Sequence, residues 1–501
     1  MIKANLIFND AVVSNEALNR QTDLLISAFE QAHITDMDVI AIYLPNCPSL
    51  IEAIAASMLY GNNYCPINYR LTSAEVSYLL RDSEAKVIVT CSEGYDKIKA
   101  IVPSETSIIL ADQERGEIAR AHTYYKLDHS LAIPRRAVAS PRSRFLGTHM
   151  PYTSGTTGKP KGIVRTKKLR TDISAAPGLI AGALGIKGNG VALMPAPLHH
   201  SATNSYVQQA LLYAGTLILM DRFDAEKVLQ LIEKHSVTTA YLVPTMYKRM
   251  LDLPKATKEK YDLSSLQFVA STGSACPALL KRQMIEWVGP VIHESYASSE
   301  MGLVTLMTAN ESMTKPGSAG KPLGNAQIRI RSNGTWAQAG QSGLIYVRQP
   351  AYADFTYKNN HDARQSMECD GLLTVGDIGY LDDEGYLYVT DRQSDMVISG
   401  GANIYPAEIE QLIHQRQDIE DTAVFGIPDD EFGESLVCLL QMKAGRTLDK
   451  DEFIRFLRTH LAGYKIPKKI GLIDKLPREE TGKLFKKKLQ QSLGDTTITY
   501  L

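Results

Sequence analysis

The chain of 501 residues carries 54 Lys and Arg against 55 Asp and Glu, a formal net charge of -1. This length exceeds what one hydrophobic core usually fills, so we expect two or more domains. The balanced charge gives no indication of nucleic-acid binding. No stretch has the apolar length of a signal peptide or a membrane span, so we expect a cytoplasmic protein without an integral membrane segment.

The cysteines are dispersed, with no C-x-x-C pair and no neighbouring histidine that would complete a zinc site: Cys47, Cys65, Cys91, Cys276, Cys369 and Cys438. Cysteines in this pattern are typical of reduced thiols in an intracellular protein. They indicate neither a disulfide framework nor a structural metal.

The first predicted elements alternate helix and strand. Ser49 and Glu52 have the S-x-x-E spacing of a capping box and predict the start of a helix. Thr72 and Glu75 repeat the spacing and predict a second helix, and a β-rich run follows at 87–89. Helix followed by buried strand is the order expected of an α/β fold.

The same order returns in the middle of the chain. Residues 217–219 predict a strand, Val228, Leu231 and Ile232 form the apolar stripe of a helix, and 240–243 predict another strand. We therefore predict an α/β fold with a large N-terminal domain built of α/β subdomains.

The pattern changes near residue 393, where a polar segment, 391–395, suits a hinge. Around and beyond it we predict short strands and helices, the strands at 387–389, 423–425 and 436–440 and the helices at 407–415 and 450–461. These elements are enough for a small α+β domain. We predict an N-terminal domain of residues 1–392 and a mobile C-terminal domain of residues 393–501, with a hinge near Ser394.

Residues 152–162 read YTSGTTGKPKG. Glycines and small hydroxyl residues bring backbone N–H and side-chain O–H donors close to an anion, and the two lysines add positive charge. The glycine spacing is not that of a Walker A loop, and a surface turn rich in Gly and Thr is the less favoured alternative. The segment therefore predicts a phosphate-binding loop.

This loop resembles the signature of the adenylate-forming superfamily, which includes acyl-CoA synthetases, aryl-CoA ligases, luciferases and the adenylation domains of peptide synthetases. The resemblance extends over nearly the whole chain, because further motifs follow in the family's order. It implies ATP and Mg²⁺, with Thr153 also a candidate metal ligand. The implied phosphate contacts are Thr153, Ser154, Gly155, Thr156, Thr157, Gly158 and Lys161.

Two later segments resemble the family's adenine-binding region. Ser271 to Pro277 implies nucleotide contacts from Gly273, Ser274 and Ala275. In the segment Tyr296 to Glu300 the resemblance implies that Tyr296 stacks on adenine, that Ser299 contacts phosphate and that Glu300 acts in catalysis by holding Mg²⁺.

The ribose and the reacting centre are assigned by resemblance too. Asp377 and Arg392 match the residues that hold the ribose hydroxyls, and Ser394 stands at the family's hinge position, where Asp or Lys is usual. Lys483, in a P-x-x-x-x-G-K segment, matches the catalytic lysine.

Coenzyme A is the implied acceptor. The loop that contains Gly401 resembles the segment that the small domain presents during thioester formation, and its glycines permit close approach of a pantetheine arm. Phe432 and Lys468 fall where some relatives contact the adenine and the phosphates of CoA.

The acid-binding pocket is the least determined part of the site. Pro197 to His200 resembles the family's aromatic motif, and His200 is a candidate catalytic and pocket residue. No carboxylate follows that motif to pair with a substrate ammonium, so a simple fatty or aryl acid is favoured over an amino acid. The other candidate substrate-binding residues are Thr203, Asn204, Ser271, Ala297 and Met301.

We therefore predict an acyl-CoA synthetase that activates a carboxylic acid as acyl-AMP and transfers the acyl group to CoA. Three alternatives remain: an enzyme that loads an acyl carrier protein, a non-catalytic nucleotide-binding protein, and weak peripheral membrane contact through the basic run 165–170.

Overall fold

The computed structural model describes residues 2–112, 121–123, 145–154, 160–167, 177–274, 276–399, 402–429, 431–479, 482, 484, 486–491 and 498–500. It shows a mixed α/β protein with a large N-terminal domain and a small C-terminal domain, as predicted. Seven predicted site residues lie outside the described residues: Gly155, Thr156, Thr157, Gly158, Ala275, Gly401 and Lys483.

The N-terminal region alternates strands and helices. Its elements are β1 (Asn5–Phe8), β2 (Ala11–Val13), α1 (Asn15–Gln31), β3 (Val39–Tyr43), α2 (Pro48–Tyr60), β4 (Asn63–Pro66), α3 (Ser73–Ser83), β5 (Val87–Thr90), α4 (Ser92–Ile98), β6 (Ser107–Leu110) and β7 (Ala121–Thr123). The strands β4-β3-β5-β6-β7 form a parallel sheet in that order.

One of the two predicted capping boxes is confirmed. Thr72 Oγ1 accepts from the Glu75 amide at 3.4 Å, and Glu75 Oε2 accepts from the Thr72 amide at 2.9 Å, at the start of α3. The prediction at Ser49 was wrong, because α2 begins at Pro48 with Cys47 as its N-cap and makes no side-chain cap. A proline at the first helical position needs no N–H partner and starts the helix there.

The central region builds a second parallel sheet. Its elements are β8 (Tyr152–Ser154), β9 (Pro160–Arg165), α5 (Pro177–Ala183), β10 (Val191–Met194), α6 (Ser201–Tyr213), β11 (Thr216–Leu219), α7 (Ala225–His235), β12 (Thr239–Tyr241), α8 (Pro244–Leu251), α9 (Lys255–Lys260), β13 (Phe268–Ser271), α10 (Ala278–Val288) and β14 (Ile292–Glu294). The sheet runs β14-β13-β12-β10-β11-β1-β2, with β2 antiparallel at its edge. A single hydrophobic core includes residues of both parallel sheets and of α1 and α2.

Antiparallel strands follow up to the predicted hinge. The elements are β15 (Ala297–Ser298), β16 (Gly302–Leu303), β17 (Thr305–Leu306), α11 (Ala309–Thr314), β18 (Lys321–Pro322), β19 (Gln327–Ser332), β20 (Thr335–Trp336), β21 (Gly343–Arg348), β22 (Phe355–Tyr357), α12 (His361–Gln365), β23 (Glu368–Cys369), β24 (Leu372–Leu373), β25 (Asp377–Leu381) and β26 (Leu387–Arg392). The strand predicted at 387–389 is part of β26 and pairs with β25 in the large domain. β22 pairs with β9, beside the predicted phosphate loop.

The small domain has its own core. Its elements are β27 (Val397–Ser399), β28 (Ala402–Ile404), α13 (Pro406–Ile413), β29 (Ile419–Asp429), β30 (Gly433–Met442), α14 (Lys450–His460), a 3₁₀ turn (Gly463–Lys465), β31 (Lys469–Leu472), α15 (Lys486–Gln491) and β32 (Thr499–Tyr500). Both predicted helices are present, and the strands predicted at 423–425 and 436–440 are the middle of one long hairpin, β29–β30. In the part of the chain that the structure describes, every helix is too short or too polar to cross a membrane.

Candidate active site

A cavity of about 1130 Å³ lies where the large-domain sheets meet the start of the small domain. Its walls include predicted phosphate, acid and ribose residues, among them Thr153, Lys161, His200, Ser299, Glu300 and Arg392. In open α/β sheets, ligands bind beyond the carboxyl ends of the strands. The cavity takes this position, because Thr272 and Gly273 on its wall directly follow β13.

Asp377 organises the wall predicted to hold the ribose. Its Oδ2 accepts from the Tyr296 hydroxyl at 2.6 Å and its Oδ1 from Arg392 Nε at 2.7 Å. Asp377 is only 3% exposed, and the pairing of β25 with β26 sets it opposite Arg392. Each carboxylate oxygen has a second lone pair, so Asp377 can still accept from a hydroxyl.

The protonation states on this wall follow from burial and charge. Burial, and to a smaller extent the Asp377 carboxylate, raises the pKa of Tyr296 well above its ordinary value. The phenol therefore stays protonated and donates a hydrogen bond. The same carboxylate raises the pKa of Arg392. The three side chains thus form a hydrogen-bonded network, of which Arg392 lines the cavity while Asp377 and Tyr296 lie behind it.

The two segments predicted to bind adenine are connected by hydrogen bonds, and a buried ion pair supports one of them. Glu294, at the end of β14, accepts from the Cys276 amide at 3.3 Å and forms a buried ion pair with Lys281 of α10. Thr272 Oγ1 donates to Ser295 O at 2.8 Å. These contacts fix Thr272 and Cys276 against the segment that carries Tyr296.

Glu300 is held at the cavity wall by two neighbours. Its Oε1 accepts from the Tyr357 hydroxyl at 3.0 Å, and Arg165 donates to the backbone oxygen of Glu300 at 2.9 Å. Lys161 Nζ lies 5.3 Å from the centre of the Tyr357 ring. A carboxylate with lone pairs remaining beside a lysine fits Mg²⁺ and phosphate oxygens, since Mg²⁺ prefers hard oxygen ligands.

The acid side of the cavity is lined by imidazoles. The rings of His199 and His200 lie 4.0 Å apart, and both residues line the cavity with His149. Burial is the main cause that lowers the pKa of His199 to about 2 and of His149 to about 3, so both are neutral near pH 7. Ala297 also lines the cavity, where we predicted it.

Four predicted pocket residues lie elsewhere. Thr203 is fully buried and donates to Pro197 O at 2.6 Å, while Asn204 accepts from the Tyr64 hydroxyl at 2.8 Å. Both face inward from α6, so the prediction that they line the pocket is corrected. Met301 packs in the core beneath β21, and Ser271 is 2% exposed at the end of β13; neither is among the residues that line the cavity.

The tail of the small domain reaches the adenine segment. A Cβ built on Gly482 would lie 2.9 Å from Thr245 Cγ2 and 3.5 Å from Ser274 Oγ, and Glu479 lines the cavity. Lys248 of α8 also pairs with Glu420 of β29 at 2.7 Å. Lys483 itself lies outside the described residues, but its preceding residue is beside the nucleotide wall.

The predicted CoA residues are away from the cavity in this arrangement. Lys468 Nζ lies 3.7 Å from the centre of the Phe432 ring and 3.3 Å from Asp429 Oδ2. Neither Phe432 nor Lys468 lines the cavity. Their roles toward CoA remain predictions.

In the described part of the basic run 165–170, the charged side chains donate hydrogen bonds to backbone oxygens of the protein itself. Arg165 donates to Ser299 O at 2.8 Å and to Ala353 O at 2.9 Å, and Lys167 donates to Gly61 O at 2.8 Å. Side chains held by backbone carbonyls are unsuited to an anionic membrane surface. The alternative of membrane contact through this run therefore loses two of its four cations, Arg165 and Lys167.

Sequence reasoning missed Arg165, Tyr357 and the two polar residues His149 and Gln209 that line or brace the cavity. Arg165 was interpreted as a surface charge because its partners are backbone oxygens more than a hundred residues away. No local signal marked Gln209, because we predicted no helix over residues 201–213 and only the packing of α6 decides which of its side chains face the cavity.

Comparison with known proteins shows the family of the chain. The family model of the AMP-binding enzyme matches residues 3–354, and that of its C-terminal domain matches residues 408–483. The chain belongs to this family. A 2-succinylbenzoate–CoA ligase of Bacillus licheniformis is 33% identical over 455 residues, 90% of this chain and 89% of the relative.

Two more relatives agree with this membership. A feruloyl-CoA synthase of Amycolatopsis is 32% identical over 495 residues, covering 95% of this chain and 93% of the relative. The o-succinylbenzoate CoA synthetase of Bacillus subtilis, solved with ATP and magnesium, superposes with a TM-score of 0.79 at 29% identity, over 98% of this chain and 97% of the other. The chain is an AMP-forming acid–CoA ligase that uses ATP and Mg²⁺ and takes CoA as co-substrate.

Proposed function

We propose that the acid is aromatic and that this enzyme converts an aryl carboxylic acid to its CoA thioester. The observation that carries the proposal is the pair of aromatic rings of His199 and His200 on the cavity wall, 4.0 Å apart and tilted by 43°, which can contact the ring of a planar acid. The relatives named for 2-succinylbenzoate and ferulate act on aromatic acids, in support of the same choice. A fatty acid is the second candidate.

Two displacements make up the reaction. A carboxylate oxygen attacks the α-phosphorus of ATP, pyrophosphate leaves, and the acid becomes a mixed anhydride with AMP. The CoA thiolate then attacks the acyl carbon, and AMP leaves. Mg²⁺, when bound by Glu300 and Thr153, neutralises phosphate charge.

The residues of this chain supply position and charge. In the proposal Asp377, Tyr296 and Arg392 hold the nucleoside, and the small-domain tail places Lys483 between the carboxylate and the α-phosphate. An ammonium held there stabilises the charge that develops as pyrophosphate leaves. The position of Gly482 against Ser274 supports this arrangement.

Thioester formation requires a different domain arrangement. We propose that residues 393–501 rotate on residues 1–392 about a hinge near Ser394, which carries Lys483 away and brings the Gly401 loop to the cavity. Phe432 and Lys468 then face CoA. Their distance from the cavity in the present arrangement supports the need for rotation.

A cytoplasmic location remains our proposal, supported by six cysteines that are all free thiols. An acyl carrier protein is the alternative acceptor, and the relatives named for CoA do not favour it. Supplying either acceptor to the purified enzyme, and measuring acyl transfer, separates the two.

The test begins with a panel of aryl and fatty acids in a pyrophosphate-release assay, followed by thioester formation with CoA. Aryl acids should be the better substrates by kcat/KM. Preference for fatty acids would replace the aryl proposal, and no AMP from any acid would end it.

Lys483→Ala tests whether Lys483 acts in adenylation and not in thioester formation. Adenylation should fall by roughly 10²-fold or more, as expected for loss of one preorganised electrostatic contact, while thioester formation from supplied acyl-AMP stays within a few-fold of the parent. The exposed residue Lys475 gives a matched control, Lys475→Ala, which should leave both steps unchanged. Equal loss in both steps would contradict the role of Lys483.

A further inference from the structure

One face of α6 forms a wall on the acid side of the cavity, which we call the acid chamber. Six of its residues line the cavity at helical spacing, namely Ser201, Ala202, Ser205, Gln208, Gln209 and Leu212. An unsubstituted aromatic ring needs only apolar contacts, but two of these six residues are glutamines. Their amide groups therefore need partners.

The two glutamines differ in whether the protein supplies a partner. Gln208 donates to Asn204 Oδ1 at 2.9 Å and also to the Tyr64 hydroxyl, so its amide is part of the scaffold. Gln209 Oε1 is shut off from solvent and has no hydrogen-bond partner among the described residues. A buried amide oxygen without a partner is destabilising. Gln209 lines the cavity, so a turn of its side-chain amide would present this oxygen to a ligand that pairs with it.

A second polar atom without a partner, this time a nitrogen, belongs to another residue of the same wall. His149 Nε2 is buried without a partner among the described residues, and His149 lines the cavity. The His149 ring lies 5.7 Å from the ring of Tyr64, and the Tyr64 hydroxyl accepts a hydrogen bond from the Gln208 amide. His149 is thus near the stretch of α6 that carries the glutamines.

The chamber wall favours a neutral partner over an ionic one. None of the six lining residues of α6 is charged, and Arg165, which also lines the cavity, is occupied by the backbone oxygens of Ser299, Glu300 and Ala353. A second carboxylate or an ammonium would lack a counter-charge at this wall. An amide can turn end for end, and a hydroxyl, which both donates and accepts, pairs with either end.

We propose that the substrate is a hydroxylated aromatic acid and that Gln209 determines this specificity by binding the ring hydroxyl, with His149 as the second polar group of the wall. This inference rests on the proposed function and narrows it.

The experiment compares acids that differ at one group. Benzoate, phenylacetate and cinnamate are each supplied with a ring hydroxyl, with a ring methyl of similar size, and unsubstituted, and pyrophosphate release is measured. The hydroxy acid of at least one series should exceed its methyl counterpart by roughly 10- to 100-fold in kcat/KM, since the methyl leaves the amide unpaired. Equal use of hydroxy and methyl acids in all three series would overturn the proposal without touching the proposed function, whereas no pyrophosphate with any acid would remove the proposed function itself.

Variants then assign the preference to a residue. Gln209→Leu should reduce the hydroxy-to-methyl ratio to within about threefold and improve use of the methyl acid, a change that a folding defect would not produce. His149→Phe, which keeps a flat ring, should reduce the ratio in part. The exposed Gln327 of β19 provides the matched control Gln327→Leu, which keeps the parental ratio. A ratio that survives in both chamber variants, or a dicarboxylic acid preferred over the hydroxy acid, would overturn the proposal.

Discussion

Asp377 shows how one side chain orders the nucleotide wall. Both of its oxygens are engaged, one by a phenol and one by a guanidinium, and the strand pairing puts the guanidinium opposite. An ionised acceptor strengthens both hydrogen bonds. The position of Tyr296 therefore depends on the charge at residue 377.

Asp377→Asn removes that charge and turns one acceptor into a donor. The amide cannot accept from both Tyr296 and Arg392, so kcat/KM for ATP should fall roughly 10- to 100-fold, mostly through KM. The ATP dependence of pyrophosphate release measures this. Asp383, exposed in the same region, provides the control Asp383→Asn, and an unchanged KM for ATP in the Asp377 variant would contradict the assignment.

At this scale the sequence predicts the residues that lie within contiguous motifs. Glu300, Arg392 and Lys161 were found from their neighbours in the chain and do line the cavity. Arg165 and Gln209 were not found in this way, because tertiary packing determines which groups they contact. Thr203 and Asn204 share α6 with Gln209, and only the rotation of that helix decides which side chains face the acid.

Local sequence signals predicted helices and strands correctly where no neighbouring signal opposed them. The capping box at Thr72 and Glu75 formed as predicted, while the same spacing at Ser49 was overridden by the adjacent Pro48. The short strands predicted at 423–425 and 436–440 are the buried centre of one hairpin whose ends are less apolar. Apolar runs thus report burial, not the full length of a strand.

The link between β26 and α13 is an element-scale contact with a pH dependence. Asp391, at the end of β26, accepts from the Ala407 amide in the first turn of α13 at 3.1 Å. Burial is the main cause that raises the pKa of Asp391 from 3.8 to about 6, and the positive charge of Lys486 opposes it. The folded protein therefore holds this proton more tightly than the unfolded chain does.

It follows that the contribution of Asp391 to stability is fully present below about pH 4 and declines as the pH rises through 6, by about 3 kcal/mol at most. Asp391→Asn cannot ionise, so its Tm relative to the parent should rise between pH 4 and pH 7. Thermal melts of both proteins over that range provide the measurement. Asp383→Asn again serves as the control, and parallel Tm curves for parent and Asp391 variant would refute the shift.

The arrangement of the two domains is the feature of the whole molecule that the sequence did not predict. A polar segment at 391–395 indicated a hinge but not the orientation of the small domain, because weak contacts between distant surfaces determine it. The ion pair of Lys248 with Glu420 and the contact of Gly482 beside Ser274 are two such contacts. Both place the tail at the nucleotide wall.

The Lys248–Glu420 pair should therefore favour adenylation over thioester formation. Its side chains are 34% and 25% exposed, and an ion pair of this exposure contributes roughly 0.2 to 1 kcal/mol, up to about a fivefold change in a domain equilibrium. Lys248→Gln and Glu420→Gln should each lower the ratio of adenylation rate to thioester rate by that factor. The double variant should equal either single one, since both remove the same contact. Two effects that simply add, or that persist unchanged at about 0.5 M salt where exposed charges are screened, would show that the pair does not hold the domains in this arrangement.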